Sequence, residues 1–310
     1  MDGIRSVAAL VVLVVAGTGC SGGSDTSRPA PERPAATAEC GRRPAPPPTS
    51  AYEHVVWIFM ENRRYGEVIG NADAPYETAL ARRCGTATRF AQVGSPSMPN
   101  YIGATSGETH GIADNAGPAA HPLTADNIFR QVRASGRQAR SYQEAMPINC
   151  ALESSGTYVV RHNPAAYYVG GDDRTACESE NIALGTPDAG PLADALDADT
   201  LAAFTLITPD LCNDTHDCPV ATGDAWLERW IPRLVASAAY QSATTAIFVV
   251  WDEYTPMPSI VVSPTTPAGT VSDEPFDLYS LLRTTEELLG IPELLGRAAT
   301  ATSMRTAFGL

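Results

Sequence analysis

The chain has 310 residues, of which 44% are apolar and 18% charged, with a formal net charge of −14. That is enough apolar material for a large globular domain. The negative balance excludes nucleic acid, whose phosphates demand Lys and Arg, and simple electrostatic docking on anionic lipid.

In chain order, the first feature is an export signal over residues 1–19. Arg5 supplies a short basic region, and Val7–Ala16 is an apolar run too short to anchor stably across a bilayer. Ala16-Gly17-Thr18-Gly19-Cys20 follows and resembles a bacterial lipobox, which makes Cys20 the candidate lipidation site and the membrane a partner through that anchor. An ordinary cleaved signal with a chance cysteine is the competing reading. Residues 20–50 are rich in Pro, Ala, Ser and Gly and cannot bury enough surface to fold, so they read as a tether. A single domain is expected over 51–310. Beyond Cys20 the cysteines are Cys40, Cys84, Cys150, Cys177, Cys212 and Cys218. An even number in an exported chain reads as disulfides. Sequence order suggests 40–84, 150–177 and 212–218 among the 15 pairings that six cysteines allow.

Within the domain, His54–Met60 is a continuous apolar run, as expected of a strand buried on both faces. Ala125–Ser135 reads as an amphipathic helix ended by Gly136, and Ala203–Thr208 as a short strand. Gly223–Tyr240 reads as a helix, Ala246–Trp251 as a second fully apolar strand, and Ser259–Ser263 as another. Asp277–Gly290 reads as a final helix stopped by Gly290 and Pro292. This alternation predicts an α/β sandwich around a mostly parallel sheet, with ligands gathering beyond the carboxyl ends of the strands.

Two of the apolar strands run into acid-rich turns, Glu61-Asn62-Arg63 and Asp252-Glu253. If the strands are parallel neighbours, their side chains meet and offer hard oxygen ligands to a divalent ion such as Mg, Ca, Mn or Zn. Ser97 precedes Pro99, a residue suited to the first turn of a helix, so Ser97 falls at a helix start. There it is either a plain cap or a nucleophile favoured by the free N–H groups and the dipole of the helix. Asn100, one turn on, could donate to a phosphoryl oxygen. The stretch Asp210–Cys218 gathers Asn213, Asp214, His216 and Asp217 in what is either a polar stapled loop or part of a site. Glu144 and His162 are further candidates, His162 as a proton-transfer group.

Taken together and in order, these pieces resemble the bacterial phosphoesterase family that contains phosphatidylcholine-type phospholipases C and secreted acid phosphatases. They include Met60-Glu61-Asn62-Arg63, Pro96-Ser97-Met98-Pro99-Asn100-Tyr101, Tyr142-Gln143-Glu144-Ala145-Met146-Pro147, Arg161-His162-Asn163-Pro164, Asn213-Asp214-Thr215-His216-Asp217 and Trp251-Asp252-Glu253. The chain is similar in particular to short secreted acid phosphatases of actinobacteria, one type of which acts on phosphatidylinositol 3-phosphate. The resemblance implies an alkaline-phosphatase-like three-layer α/β/α fold. It implies that Glu61, Asn62, Ser97, Asp252 and Glu253 surround a metal and that Ser97 attacks phosphorus, with His162 or His216 handling protons. The expected substrate is a phosphate monoester. A phospholipase C-like diesterase and a tethered protein that binds without turnover are the alternatives. The chain departs from the family at Ser95, where many relatives carry His, and at Leu278, where the usual Asp-His-Tyr-Ser reads Asp277-Leu278-Tyr279-Ser280.

Overall fold

In the computed structural model, which describes residues 39–44, 46, 51–242 and 244–310, the run His54–Met60 is a strand, β1, buried along nearly its whole length. The expected signal peptide, the lipidation site Cys20 and most of the expected tether lie outside the described residues. The strands that follow are β2 (Gly85–Ala87), β3 (Phe90–Ala91), β4 (Ala139–Gln143), β5 (Asn181–Ala183), β6 (Phe204–Thr208), β7 (Thr245–Trp251), β8 (Ser259–Val262), β9 (Thr270–Ser272) and β10 (Phe276–Asp277). Eight of them form one sheet in the order β5-β4-β6-β1-β7-β8-β2-β9, while β3 and β10 pair separately. Within the large sheet only β8 runs against its neighbours. The predicted α/β class and mostly parallel sheet are what the structure shows.

The two faces of β1 explain the layers. Trp57 packs on Phe204 and donates its indole N–H to Thr285 at 2.9 Å, and Phe59 packs on Tyr101, so this face meets the helices Ser97–Ser106 and Leu278–Leu288. Met60 points the other way, toward Gly223 in the helix Val220–Ala236. Apolar residues on both faces are therefore withdrawn from water, and each such Val, Ile or Phe contributes about 1.5–3 kcal/mol. This is why β1 and β7 read as unbroken apolar runs rather than alternating ones. Gly223 itself is required: a Cβ there would lie 2.4 Å from Thr215 Cγ2 and 2.9 Å from Met60 Cε. The absent side chain lets the helix approach the loop that carries Asp214.

Several boundaries differ from expectation for local reasons. The helix expected over 125–135 starts at Ile128 rather than Ala125, because the Asn127 side chain accepts from Arg130 N–H at 3.0 Å and caps it. The helix expected over 223–240 instead spans Val220–Ala236 and breaks at Ser237, whose extended backbone and hydroxyl start a separate turn over Ala238–Gln241. Residues 39–44, which composition alone puts in the tether, lie on the domain. Cys40 is joined to Cys84, Glu39 pairs with Arg83 at 2.7 Å, and Arg43 N–H donates to Pro264 O. The other two disulfides join Cys150 to Cys177 and Cys212 to Cys218.

Candidate active site

The register of the two apolar strands builds the centre. β1 and β7 are parallel neighbours with Met60 opposite Trp251, so Glu61 and Asp252 leave the sheet side by side. β6 lies on the other side of β1 and leads into the loop that brings Asp214 back, with Glu61 N–H donating to Asp214 O at 2.7 Å. Thr215 holds this crossing: its hydroxyl donates to Glu61 O at 2.8 Å. It does so from a left-handed backbone, φ 77°, that costs a β-branched residue about 1–3 kcal/mol.

Ser97 is the first residue of the buried helix Ser97–Ser106 and donates its hydroxyl to Glu61 Oε2 at 3.3 Å. The helix start is less open than its dipole suggests. Met98 N–H is taken by Asn115 Oδ1 at 3.0 Å and Pro99 has no N–H, so of the first three residues only Ser97 has an N–H left to meet a ligand. One turn along the helix, Tyr101 donates to Glu61 Oε1 at 2.6 Å and stacks on His162 at 5.2 Å. His162 lies between two acids, with Nε2 at 3.2 Å from Glu61 Oε1 and Nδ1 at 3.3 Å from Asp214 Oδ2.

Glu61, Asp214 and Asp252 are buried, and no Arg pairs with any of them among the described residues. Burial pushes the Asp214 carboxyl up to about 8 and the Asp252 carboxyl up to about 7, with neighbouring acids adding to the rise. Glu61 rises well above its usual range, first through burial and then through repulsion from Asp252 and Asp214. His162 is held well below its ordinary value, mainly by burial and then by Arg161 and His216. Such a group is stable only if protons or a cation neutralise it.

The Asn62 amide tests which. It lies 2.8 Å from Glu61 Oε2 and 2.7 Å from Asp252 Oδ1. Turned one way, its nitrogen donates to both carboxylates. Turned the other way, its oxygen joins theirs in a cluster that a cation would have to hold together. Asp252 Oδ2 and Asp214 Oδ2 also lack hydrogen-bond partners. Glu61, His162 and Asp214 each offer a ligand atom, all within 4.8 Å of one another. The donor set fits a divalent cation.

The remaining sequence candidates fall around this centre in different ways. Glu253 is turned to Ser95, whose hydroxyl donates to it at 3.0 Å. Asn100 uses its oxygen to accept from Val93 and Gly94 N–H at 2.9 and 2.7 Å, fixing the turn before Ser97, while its buried Nδ2 has no partner. His216 stands at the margin, with Nδ1 2.6 Å from the exposed Asp217 and its ring 6.0 Å from that of His162. Glu144 and Asn213 lie outside the cluster. Glu144 accepts from Asp210 N–H, Asn213 Nδ2 and Trp226 Nε1, so it braces the loop that carries Asp214. Leu278 is a buried residue behind the Asp277 cap of its helix. Sequence reasoning did not single out Tyr101, Thr215 or Arg161. Tyr101 was legible in principle, because residues four apart share a helix face; nothing in the sequence marks Thr215.

The Phosphoesterase family model matches residues 71–292. Over 250 residues the chain is 28% identical to a phosphatidylinositol-3-phosphatase of Mycobacterium tuberculosis, covering 78% of each. It is 25% identical over 264 residues to an acid phosphatase of Aspergillus fumigatus, covering 79% of this chain and 56% of that one. A solved alkaline phosphatase superfamily protein of Vibrio parahaemolyticus superimposes with a TM-score of 0.55 at 11% identity, covering 83% of this chain and 72% of that one. At that identity the likeness speaks for the fold alone. With the family model matching over more than half its length, the chain belongs to the phosphoesterase family and is a hydrolase of phosphate esters.

Proposed function

We propose that the chain hydrolyses phosphate monoesters, with Ser97 as nucleophile and a phosphoserine intermediate. The observation that carries this reading is the Ser97 hydroxyl at the start of a buried helix, 3.3 Å from a carboxylate that belongs to a cluster with which no guanidinium pairs among the described residues. Glu61, Asn62, Ser97 and Asp252 are the residues that would hold a divalent ion, with Asp214 and His162 beside them and Glu253 behind. When bound, the ion supplies Lewis-acid stabilisation of phosphoryl charge and favours the ionised hydroxyl.

The chain's own groups account for the rest. The Ser97 oxygen forms a bond to phosphorus as the bond to the alcohol oxygen breaks in line. Its proton passes to Glu61 Oε2, the acceptor already in contact. Tyr101 and Thr215 keep Glu61 oriented. In this reading the buried Glu61–His162–Asp214 group, whose carboxyls are raised, supplies the proton to the departing alcohol oxygen. Water then attacks phosphorus as the bond to Ser97 breaks; the proton lost by water refills the group that protonated the alcohol, and Glu61 returns the serine proton. The three disulfides support an exported location, where such bonds persist. A substrate like that named for the mycobacterial relative, a phosphorylated inositol lipid, is compatible with this chemistry.

The test is Ser97→Ala. We expect p-nitrophenyl phosphate turnover to fall at least ~10⁴-fold, and acid-quenched wild type to carry a phosphoryl group on Ser97. Undiminished turnover in the variant would overturn the assignment. Ser95 and Leu278, at positions where the family resemblance implies His in many relatives, favour a second reading in which the chain binds phosphoesters without turnover. Metal-loaded wild type that binds but hydrolyses neither mono- nor diesters would establish it.

A further inference from the structure

Arg161 is a half-buried guanidinium on the short turn Val160–His162, next to the histidine at the centre of the site. It pairs with no carboxylate among the described residues, although the chain carries a net charge of −14. Its Nη2 donates a hydrogen bond to His216 Nε2 at 3.4 Å. Its charge nevertheless reaches the centre: it opposes the rise that burial causes at Asp214 and adds to the fall that burial causes at His162.

A guanidinium can only donate, so His216 Nε2 accepts and its proton lies on Nδ1, directed at Asp217 Oδ1 2.6 Å away. Asp217, His216 and Arg161 thus form a chain that orients the guanidinium and leaves most of its five donors free. Arg161 meets the cluster through His216 and has no contact with Ser97, Glu61 or Asp252. The transferred phosphoryl group has to meet Ser97, so a guanidinium that touches none of these three groups is left for another part of the substrate.

We propose that Arg161 is a specificity-determining residue that binds a second anionic group on the alcohol side of the substrate, and that the Asp217–His216 pair positions it. The preferred substrates are then phosphomonoesters whose alcohol carries another phosphate, as in a sugar or polyol bisphosphate. A planar fork suits such a group through paired charge-assisted hydrogen bonds. This inference rests on the phosphomonoesterase reading above.

Binding to the metal-loaded Ser97→Ala chain separates the two claims, because it needs no turnover. Calorimetry with glucose 1,6-bisphosphate and glucose 6-phosphate should show a preference for the bisphosphate of about tenfold or more, beyond the statistical factor of about two. Adding Arg161→Gln should collapse that ratio toward the statistical factor, and Arg161→Lys should retain an intermediate preference. An unchanged ratio, or an equal loss of both ligands in Arg161→Gln, would overturn the assignment of Arg161. Failure of the Ser97→Ala chain to bind either sugar phosphate would count against the phosphomonoesterase reading itself, and with it this inference.

Discussion

Asp173, at the start of the helix Asp173–Glu180, is as deeply buried as the acids at the ends of β1 and β7, yet its surroundings differ in kind. It pairs with Arg130, accepts from Arg133 Nη2 at 2.6 Å and from Asn127 Nδ2 at 3.0 Å, and so is fully neutralised by its own chain. Glu61, Asp214 and Asp252 have each other, a histidine, an amide and two hydroxyls, and no guanidinium pairs with them among the described residues. A carboxylate that the fold has already satisfied is architecture. A group of them left short of positive charge is a place for something the chain does not itself supply. Glu286 stands between the cases. One oxygen accepts from Leu295 N–H at 2.8 Å and the other has no partner, and burial pushes its carboxyl up to about 8.

This contrast can be broken at either end. The largest effect is expected at Asp173: Asp173→Asn leaves two guanidiniums without their shared counter-charge and should cost about 3 kcal/mol or more in a urea melt. Hydrolysis by the fraction that remains folded should persist. If Asp173→Asn melts like wild type, pairing is not what distinguishes the two groups.

A smaller effect is expected at Glu286. Its pKa is raised from 4.5 to about 8 on folding, so the folded chain holds the proton more tightly than the unfolded one. The associated stability is fully present below about pH 4.5 and is lost as pH rises through about 8. Glu286→Gln keeps the acceptor for Leu295 N–H and removes the ionisation. It should flatten this part of the pH dependence and make the variant more stable than wild type near pH 8, by an amount on the order of a few kcal/mol at most. Parallel pH profiles for the two proteins would show that Glu286 ionises without cost.

Much of the centre was legible because it lies at the ends of the most obvious elements. Apolar runs as plain as 54–60 and 246–251 leave little choice but strands buried on both faces, and their parallel pairing puts Glu61 beside Asp252. The Ser97 helix was readable from Pro99. Harder to see were β4 and β5, whose polar residues are satisfied only in three dimensions. Gln143 Nε2 donates to Ser141 and Thr208, and Asn163 and Asn181 exchange side-chain hydrogen bonds at 2.8 and 2.9 Å. The loop Asp210–Cys218 was ambiguous for a related reason. Its composition suits a turn equally well, and only the crossing held by Thr215 sends Asp214 inward while Asn213 turns outward to Glu144.

The most direct test of the account is thermal denaturation of chelator-stripped wild type and Asp252→Asn against a panel of Mg²⁺, Ca²⁺, Mn²⁺ and Zn²⁺. At least one ion should raise the wild-type melting temperature, corresponding to about 2.7 kcal/mol at a hundred times its Kd, and should do so far less in Asp252→Asn. A stripped wild type that melts unchanged with every ion and keeps its full hydrolytic activity would contradict a site built around a bound cation beside Ser97.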